Sequence, residues 1–341
     1  EYSTPECRAL RDLLAHDRAG ERVVQRAAER RNRTLGGPHV QVYKNNSDFH
    51  GHSYGCHDNY LVPRTIPFPS LVAGLLLFLV SRQVVATRDE PHADRGKYRR
   101  LHLIVGDANL CEYATALKIG TTQLVLDLIE RGAAPAIELA DPVAGVKQIS
   151  RDPDLKATVR QTRGGALSGL EIQTQYYEAA QRALAGSDPD TDWVLREWGE
   201  TLRQLSADRR QLVGKLDWVT KQWLLETFVR EERIGWDDPW LASLDLEYHN
   251  VNPDRGLYLG LEAEGKAWRM TIEADVEQAL MAGPHDTRGG LRGLCVRRFG
   301  DQIAAMQWER IRFTGGLAGR TLEMGDLFDP AEVRACEAML E

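Results

Sequence analysis

The sequence lacks the features that mark several common classes of protein. Its 341 residues carry a net charge of −7 at pH 7, which argues against a dedicated nucleic-acid-binding domain. The five cysteines are scattered and form no C-x-x-C pair, a distribution typical of a reducing compartment. No signal peptide is recognisable, and the most apolar run, residues 71–80, is too short to cross a bilayer. These absences predict a cytoplasmic protein that binds neither membrane nor nucleic acid.

Regular nucleotide-binding motifs are also missing. Neither a Walker A loop nor a Rossmann fingerprint occurs. Any bound ATP must therefore occupy a different type of phosphate-binding site, built from metal ions and arginines. We find no internal repeat and no low-complexity linker.

Apolar residues at helical spacing dominate the chain. The few predicted strands do not alternate regularly with helices, which favours an α+β fold over a doubly wound sheet. Helices are predicted near residues 70–82, 111–131, 168–185, 190–208, 213–232, 256–265, 271–282 and 286–299. Strands are predicted at residues 39–44, 101–105, 156–162 and 305–314.

Three local patterns make finer predictions. Thr4-Pro5-Glu6 has the cap, proline and acid of a helix start. The pair Gly36-Gly37, followed by a proline, predicts the end of that helix. The tryptophans Trp218 and Trp223 lie on an apolar helix and are predicted to pack in the core.

Residues 43–60 concentrate the side chains that carry chemistry, including three histidines, two aspartates and one cysteine. Gly51-His-Ser-Tyr-Gly55 matches the nucleophile elbow of serine hydrolases, with Ser53 as nucleophile. That motif needs a buried strand before it and a helix after it, and the polar flanks here suit neither. The same stretch offers a zinc site from His50, His52, Cys56 and His57, although adjacent residues such as Cys56 and His57 usually point in different directions.

A third possibility is an oxygen-rich site for Mg²⁺ and a nucleotide. Its candidate ligands Glu1, His57 and His92 lie on separate segments, so only tertiary folding can bring them together. Arg288 and Arg292 would suit a phosphate clamp, although arginines at a helix start are more often a surface feature.

Longer motifs, in order along nearly the whole chain, give the sequence a strong resemblance to the Pup ligase/depupylase family. The motifs are Glu1-Tyr-Ser-Thr-Pro-Glu-Cys7, Asp17-Arg-Ala-Gly-Glu-Arg22, Lys44-Asn-Asn46, Ser53-Tyr-Gly-Cys-His-Asp-Asn-Tyr-Leu61, Thr87-Arg-Asp-Glu-Pro-His-Ala-Asp94, Lys97-Tyr-Arg-Arg-Leu-His102, Gly106-Asp-Ala-Asn109, Leu216-Asp-Trp-Val219, Leu244-Asp-Leu-Glu-Tyr-His249 and Asp286-Thr-Arg288.

The resemblance implies a glutamine-synthetase-like (carboxylate-amine ligase) fold, with a curved antiparallel sheet flanked by helices. It implies a catalytic domain over residues 1–299 and a small C-terminal domain over residues 300–341. The implied activity is an ATP- and Mg²⁺-dependent depupylase that deamidates the C-terminal Gln of the small modifier Pup and cleaves the Pup–lysine isopeptide bond. The alternative is a Pup–protein ligase; a non-catalytic Pup binder is more distant. Implied partners are Pup, pupylated proteins and, functionally, the bacterial proteasome.

The resemblance also implies residue roles. Glu1 matches a metal ligand of the family, and His57 and His92 match positions near the metals in the depupylase branch. Thr4 and Trp308 match nucleotide contacts, and Arg88 and Arg288 are phosphate neighbours.

The sequence departs from the family in two places. The family's N-terminal strand, with metal-binding glutamates, and its catalytic Asp both lie upstream of the position of Glu1. About forty further residues of the family, including strands of the active-site sheet, fall between Val85 and Ala86. A protein without these pieces is expected to bind ATP weakly and to show no turnover.

Overall fold

The fold is taken from a computed structural model, which describes residues 2–47, 55–82, 97–104, 106–307, 309–325 and 338, and the backbone of 87–89. The helices within these ranges are α1 (Leu10–Leu35), α2 (Phe68–Arg82), α3 (Glu112–Glu130), α4 (Pro142–Ile149), α5 (Gly169–Leu184), α6 (Pro189–Ala207), α7 (Asp217–Glu232), α8 (Pro239–Tyr248), α9 (Leu257–Ala263), α10 (Glu273–Met281) and α11 (Arg288–Phe299). The strands are β1 (Asp58–Pro63), β2 (Thr87–Asp89), β3 (Tyr98–Leu103), β4 (Thr158–Arg160), β5 (Ala166–Ser168), β6 (Ile303–Met306), β7 (Arg310–Phe313) and β8 (Thr321–Glu323). This mixture of helices and small antiparallel sheets confirms the predicted α+β class.

The chain divides into two compact units. One comprises Glu1–Val42 with Arg269–Glu341, and the other, Tyr43–Trp268, is here called the central unit. The domain boundary predicted between residues 299 and 300 is a different division and stays a prediction.

The sheet of the central unit has the strand order β1-β3-β2, with both pairs antiparallel. Tyr60 lies opposite Leu101 and Asp58 opposite Leu103, and all four of these side chains are buried. Since successive side chains of a strand point to opposite faces, the alternate positions form an outward face. Asn59 and His102 are opposite each other on that face.

Helix α2 lies in the hydrophobic core of the central unit, where it packs against α3, α4 and α5. Seven of the ten residues of its apolar run, residues 71–80, are buried, and Phe78 is fully inaccessible to solvent. The phenol of Tyr176 on α5 donates a 2.6 Å hydrogen bond to the carbonyl of Gly74. A Cβ atom at Gly74 would lie 2.5 Å from the side chain of Ile129, so only glycine permits this approach of α2 to α3.

The other unit contains α1, α10 and α11 together with the antiparallel sheet β6-β7-β8. Exposed ion pairs join α1 to α10, with Arg22 bound to Glu273 at 2.5 Å and to Glu277 at 2.9 Å. Helix α11 packs on the sheet through a small core. That core consists of Leu291, Cys295, Ile311, Phe313, Leu322 and Met324.

Three local predictions need correction. Helix α1 begins at Leu10 and not at Thr4, because Glu6 is held in an ion pair with Arg288. Residues 39–44 form no strand apart from a single bridge between Tyr43 and Asn250. The predicted strand over residues 305–314 is two strands, β6 and β7, that pair with each other. By contrast, α1 ends as predicted, with Gly36 in the left-handed region at a φ of 75°.

Among the described residues, no helix combines the length and apolar character that a membrane span requires.

Candidate functional site

His57 lies immediately before β1, at the end of the sheet in the central unit. Its exposed ring packs edge-on against the ring of His102, with the centroids 4.8 Å apart. A Cβ atom at Gly55 would come within 2.6 Å of His57 Nε2, so glycine is needed for the ring to occupy this position. Glycine at position 55 therefore leaves the space that the His57 ring occupies.

The outward face of the sheet presents nitrogen donors and cations. In the register, His102 lies between Asn59 of β1 and Arg88 of β2, so these three positions share one face. Arg100 occupies the next outward position on β3. This face suits phosphate oxygens, while the imidazoles and the amide are suitable metal ligands.

The face provides only part of a magnesium site. Mg²⁺ prefers oxygen ligands, above all carboxylates, and no outward position of β1 or β3 is a carboxylate. Asp58 is adjacent to His57 but points inward. A carboxylate must therefore come from elsewhere, and Glu1, the predicted one, lies outside the described residues.

A buried ionic cluster lies directly behind His57. The carboxylate of Asp58 accepts a 2.5 Å hydrogen bond from Arg82, and both side chains are less than a tenth exposed. Arg82 also donates to the hydroxyl of Thr122. Burial and the charge of Asp58 raise the pKa of the Tyr60 phenol in the same layer. Burying an unpaired carboxylate would destabilise the fold, and the ion pair with Arg82 offsets that penalty for Asp58.

Lys118 of α3 connects this cluster to a second segment of the site. Its ammonium lies 3.7 Å from Asp58 Oδ1 and 3.4 Å from Cys56 Sγ, and it donates a 3.1 Å hydrogen bond to the carbonyl of Asp107. One side chain thus holds the residues on both sides of His57 and the loop that follows β3.

Asp217 fixes the other end of that loop. Its half-buried carboxylate accepts hydrogen bonds from the Asn109 side chain at 3.1 Å and from the backbone N–H groups of Leu110 and Cys111 at 3.1 and 3.2 Å. The Tyr248 hydroxyl donates a further bond of 3.2 Å. Burial raises the pKa of Asp217, while the bonds from Asn109 and the two amides oppose that rise.

His249 joins two more of the family motifs. Its Nδ1 lies 2.9 Å from the carbonyl of Lys44 and its Nε2 lies 3.3 Å from the ammonium of Lys221. Burial, together with the charge of Lys221, lowers the pKa of His249 to about 4. The ring is therefore neutral near pH 7 and serves to connect the two segments.

In the other unit, Thr4 lines a cavity of about 410 Å³. The cavity also contains His16, Arg292 and Arg297, and none of its lining residues is a carboxylate. Burial and the neighbouring Arg288 lower the pKa of Arg292. This lining fits an anionic group such as a phosphate.

Arg288 is buried and paired with a carboxylate. Its Nε and Nη2 donate to Glu6 Oε1 at 3.1 and 2.6 Å, and its side chain is 3% exposed. In this arrangement, Arg288 anchors the segment that carries Thr4.

Cysteine chemistry is disfavoured at two of the described positions. Burial and nearby carboxylates raise the pKa of Cys7 to about 12, and burial with Asp217 does the same for Cys111. Thiols in that state are poor nucleophiles.

The structure accounts for only some of the predicted site residues. It describes Thr4, His57 and Arg288, and only the backbone of Arg88. Glu1, His92 and Trp308, as well as His50, His52 and Ser53 of the zinc and hydrolase alternatives, lie outside the described residues. In the described part, no group of three or more His, Cys, Asp or Glu side chains could hold a metal ion.

Several residues that shape the site were not predicted from the sequence. His102 and Asp58 lie within the family motifs, which assign them no role, and the sequence around Arg82 and Lys118 indicates only that they lie on helices. The alternation of β3 signals that His102 and Leu101 face opposite sides, but the pairing of Asp58 with Arg82 has no local signal.

Comparison with known protein families gives a match over most of the chain. A sequence model described as Pup-ligase protein matches residues 1–86 and 84–312. The two matched segments overlap at residues 84–86.

Individual relatives carry two kinds of name. A Pup deamidase/depupylase of Mycobacterium tuberculosis is 42% identical over 364 residues, which covers 93% of this chain and 72% of the relative. A Pup–protein ligase of Acidimicrobium ferrooxidans is 37% identical over 383 residues, covering 98% of this chain and 84% of the relative.

Two solved structures share the fold. The Pup ligase PafA in complex with ADP superposes with a TM-score of 0.90 at 31% identity, covering 100% of this chain and 86% of PafA. A complex of Pup with PafA gives a TM-score of 0.89, covering 99% of this chain and 79% of that chain. These matches confirm the predicted carboxylate-amine ligase fold of the glutamine-synthetase type.

Proposed function

Since the chain belongs to the Pup ligase/depupylase family, we propose that it is an ATP-dependent depupylase. It hydrolyses the isopeptide bond between the C-terminal glutamate of Pup and a substrate lysine, and it deamidates Pup that ends in glutamine. The observation that carries this proposal is the higher identity to named depupylases, 42% over 93% of the chain, than to named ligases, 37% over 98%.

The residue roles follow the two units. In the central unit, His57 is a metal ligand, and Arg88 contributes positive charge for phosphate oxygens on the outward face of the sheet. His92, in the same unit, is a further metal ligand. Glu1 and Trp308 belong to the other unit; Glu1 is a metal ligand and Trp308 is a nucleotide contact. Bound Mg²⁺ and ATP would supply the charge neutralisation that makes a phosphate-dependent reaction feasible.

Thr4 is a nucleotide contact in the other unit. The arginines of its cavity, Arg292 and Arg297, support this role because they complement negative charge. Arg288 forms an ion pair with Glu6 and so positions the segment that carries Thr4. Its second proposed role is to lie near the phosphates of the bound nucleotide.

The proposed partners are Pup, pupylated proteins and, functionally, the proteasome, in the cytoplasm. Pup is an acidic disordered chain, so its binding requires local positive charge and folding on contact. The arginines on the outward face of the central sheet, Arg88 and Arg100, support such a partner.

Pup ligation is the second candidate function. The observation in its favour is the match to the ligase PafA, which superposes over the whole chain. Both reactions act on the same side-chain carbonyl of Pup, which explains why overall similarity separates them poorly.

One pair of reactions distinguishes the two functions. The full-length protein is incubated with ATP, Mg²⁺ and a pupylated protein, and separately with Pup ending in glutamate and a lysine acceptor. Loss of conjugate supports the depupylase, and gain of conjugate supports the ligase. Binding of Pup with neither reaction indicates a non-catalytic binder, and a metal-free activity that Ser53→Ala abolishes indicates a serine hydrolase.

A further inference from the structure

Helix α7 carries seven large apolar side chains, and only one of them, Val219, is buried. Only Val219 and Thr220 are buried, although the helix also carries Trp218, Trp223 and Phe228. Trp218 is 39% exposed, which corrects the prediction that it packs in the core. In the segment that follows, Trp236 is 61% exposed and Trp240 is 45% exposed. Large apolar side chains clustered at a surface mark sites of interaction.

Of these side chains, Trp236 lines a groove between α7 and α8. Its volume is about 370 Å³, and its apolar lining comprises Leu225, Trp236, Pro239, Leu241 and Ala242. The rings of Phe228 on α7 and Trp240 on α8 pack edge-on at 5.7 Å, a contact that joins the two helices. We call this region the α7–α8 groove.

The groove is acidic as well as apolar. Its lining includes Asp237, Asp238 and Asp245, and residues 217–248 contain eight acidic but only three basic side chains. Asp238 caps α8, and Asp245 is paired with Lys221 at 2.7 Å. Asp237 is exposed and makes no ion pair with any described residue, so its charge is available to a partner.

The exposed indoles attract the same kind of group. The face of a tryptophan ring carries negative electrostatic potential and binds ammonium and guanidinium groups. The chain itself contains an example, since the ammonium of Lys215 lies 4.3 Å from the ring centroid of Trp268. Both the carboxylates and the indole rings therefore favour a cationic partner.

We propose that the α7–α8 groove docks a basic amphipathic segment of another protein. Apolar side chains of the segment fill the groove against Leu225 and Trp236, and its lysines or arginines contact Asp237 and the indole faces. Trp is enriched among the residues that dominate binding energies, which makes Trp236 the expected anchor. An acidic segment of the same shape is excluded by repulsion from Asp237. This surface is independent of the depupylase proposal.

The test uses a fluorescent amphipathic peptide of leucine and lysine as the probe, and a matched peptide with glutamate in place of lysine. Fluorescence anisotropy is expected to show binding of the lysine peptide alone, weakened by added salt. Trp236→Ala should weaken binding by at least about tenfold, as expected for an anchor residue. Asp237→Asn should weaken it by about threefold to tenfold through loss of one charge pair. Both positions are exposed, so circular dichroism should show an unchanged fold.

Val143→Ala is the matched control, because Val143 is 66% exposed on α4, outside the groove. It should bind the lysine peptide like the wild type. The proposal would be overturned if Val143→Ala weakened peptide binding as much as the groove variants do. It would also be overturned if the glutamate peptide bound as tightly as the lysine peptide, or if both groove variants bound the lysine peptide like the wild type. Self-association of the protein that Trp236→Ala abolishes would also overturn the proposal, because the occupant would then be a second copy of the chain. Competition by Pup for the groove would overturn it too, because the groove would then bind an acidic chain.

Discussion

The carboxylate of Asp217 accepts a 3.1 Å hydrogen bond from the side-chain amide of Asn109, across more than a hundred residues of sequence. The same carboxylate accepts from two backbone amides at the start of α3, where the helix dipole presents positive partial charge. One carboxylate thus fixes both the loop after β3 and the first turn of α3. Asn109 and Asp217 belong to two different motifs of the family, and this contact gives the two motifs a shared structural role.

Replacing Asp217 by Asn should destabilise the protein by about 2 kcal/mol, because the buried amides lose a charged acceptor. Urea denaturation measures the change. Asp254→Asn is the control, since Asp254 is exposed, and it should leave the midpoint unchanged. An unchanged midpoint for Asp217→Asn would mean that the carboxylate does not stabilise the start of α3.

Helices were easier to predict than strands because their signal is local. Residues 70–82 and 111–131 show apolar periodicity, and the structure places α2 and α3 within two residues of those bounds. The hairpin of β6 and β7 was predicted as one strand because Gln307 and Glu309, on either side of Trp308, give no glycine or proline signal for the turn.

Tertiary contacts explain the other errors. Thr4-Pro5-Glu6 has the composition of a helix start, but Glu6 pairs with Arg288, almost three hundred residues away. For the site, the family motifs identified His57, whereas His102 and Lys118 required the strand register and the position of α3. Such long-range pairings are not encoded in any single stretch of sequence.

The buried pair of Asp58 and Arg82 should be strongly coupled. Asp58→Asn leaves Arg82 with a weaker partner, and Arg82→Met leaves Asp58 in a buried layer with Lys118 at 3.7 Å. Each single variant should lose about 3 kcal/mol of stability, and the double variant should lose less than the sum by about 1–3 kcal/mol.

A double-mutant cycle by chemical denaturation measures this coupling. The exposed pair of Arg203 and Glu200, with the same 2.5 Å separation, provides the control. Arg203→Met should leave the unfolding midpoint unchanged, because solvent screens exposed pairs. Strict additivity of the Asp58 and Arg82 effects would contradict the role assigned to the cluster.

His249 should make stability depend on pH below neutrality. Its pKa is lowered to about 4 in the folded protein, so the unfolded chain binds more protons between about pH 4 and 6.5. Stability from this residue is therefore present above pH 6.5 and is lost as the pH falls toward 4, by at most about 3 kcal/mol.

Denaturation at several pH values tests this dependence. His249→Gln should reduce the slope of stability against pH between 4 and 6.5, whereas His285→Gln, at an exposed position, should preserve it. If both variants retain the slope of the wild type, the ring of His249 is not the group that titrates.

His57 provides the most direct test of the proposed metal site. His57→Ala should lower Mg²⁺-dependent activity at least about tenfold, as loss of a ligand requires, and should raise the Mg²⁺ concentration for half-maximal activity. Gly55→Ala should have a smaller effect in the same direction, because its Cβ would displace the His57 ring from a position 2.6 Å away. His39→Ala, at an exposed position, is the control. Unchanged activity and metal dependence in His57→Ala would remove this residue from the site, whereas an effect of Gly55→Ala alone would show that the backbone turn matters and the imidazole does not.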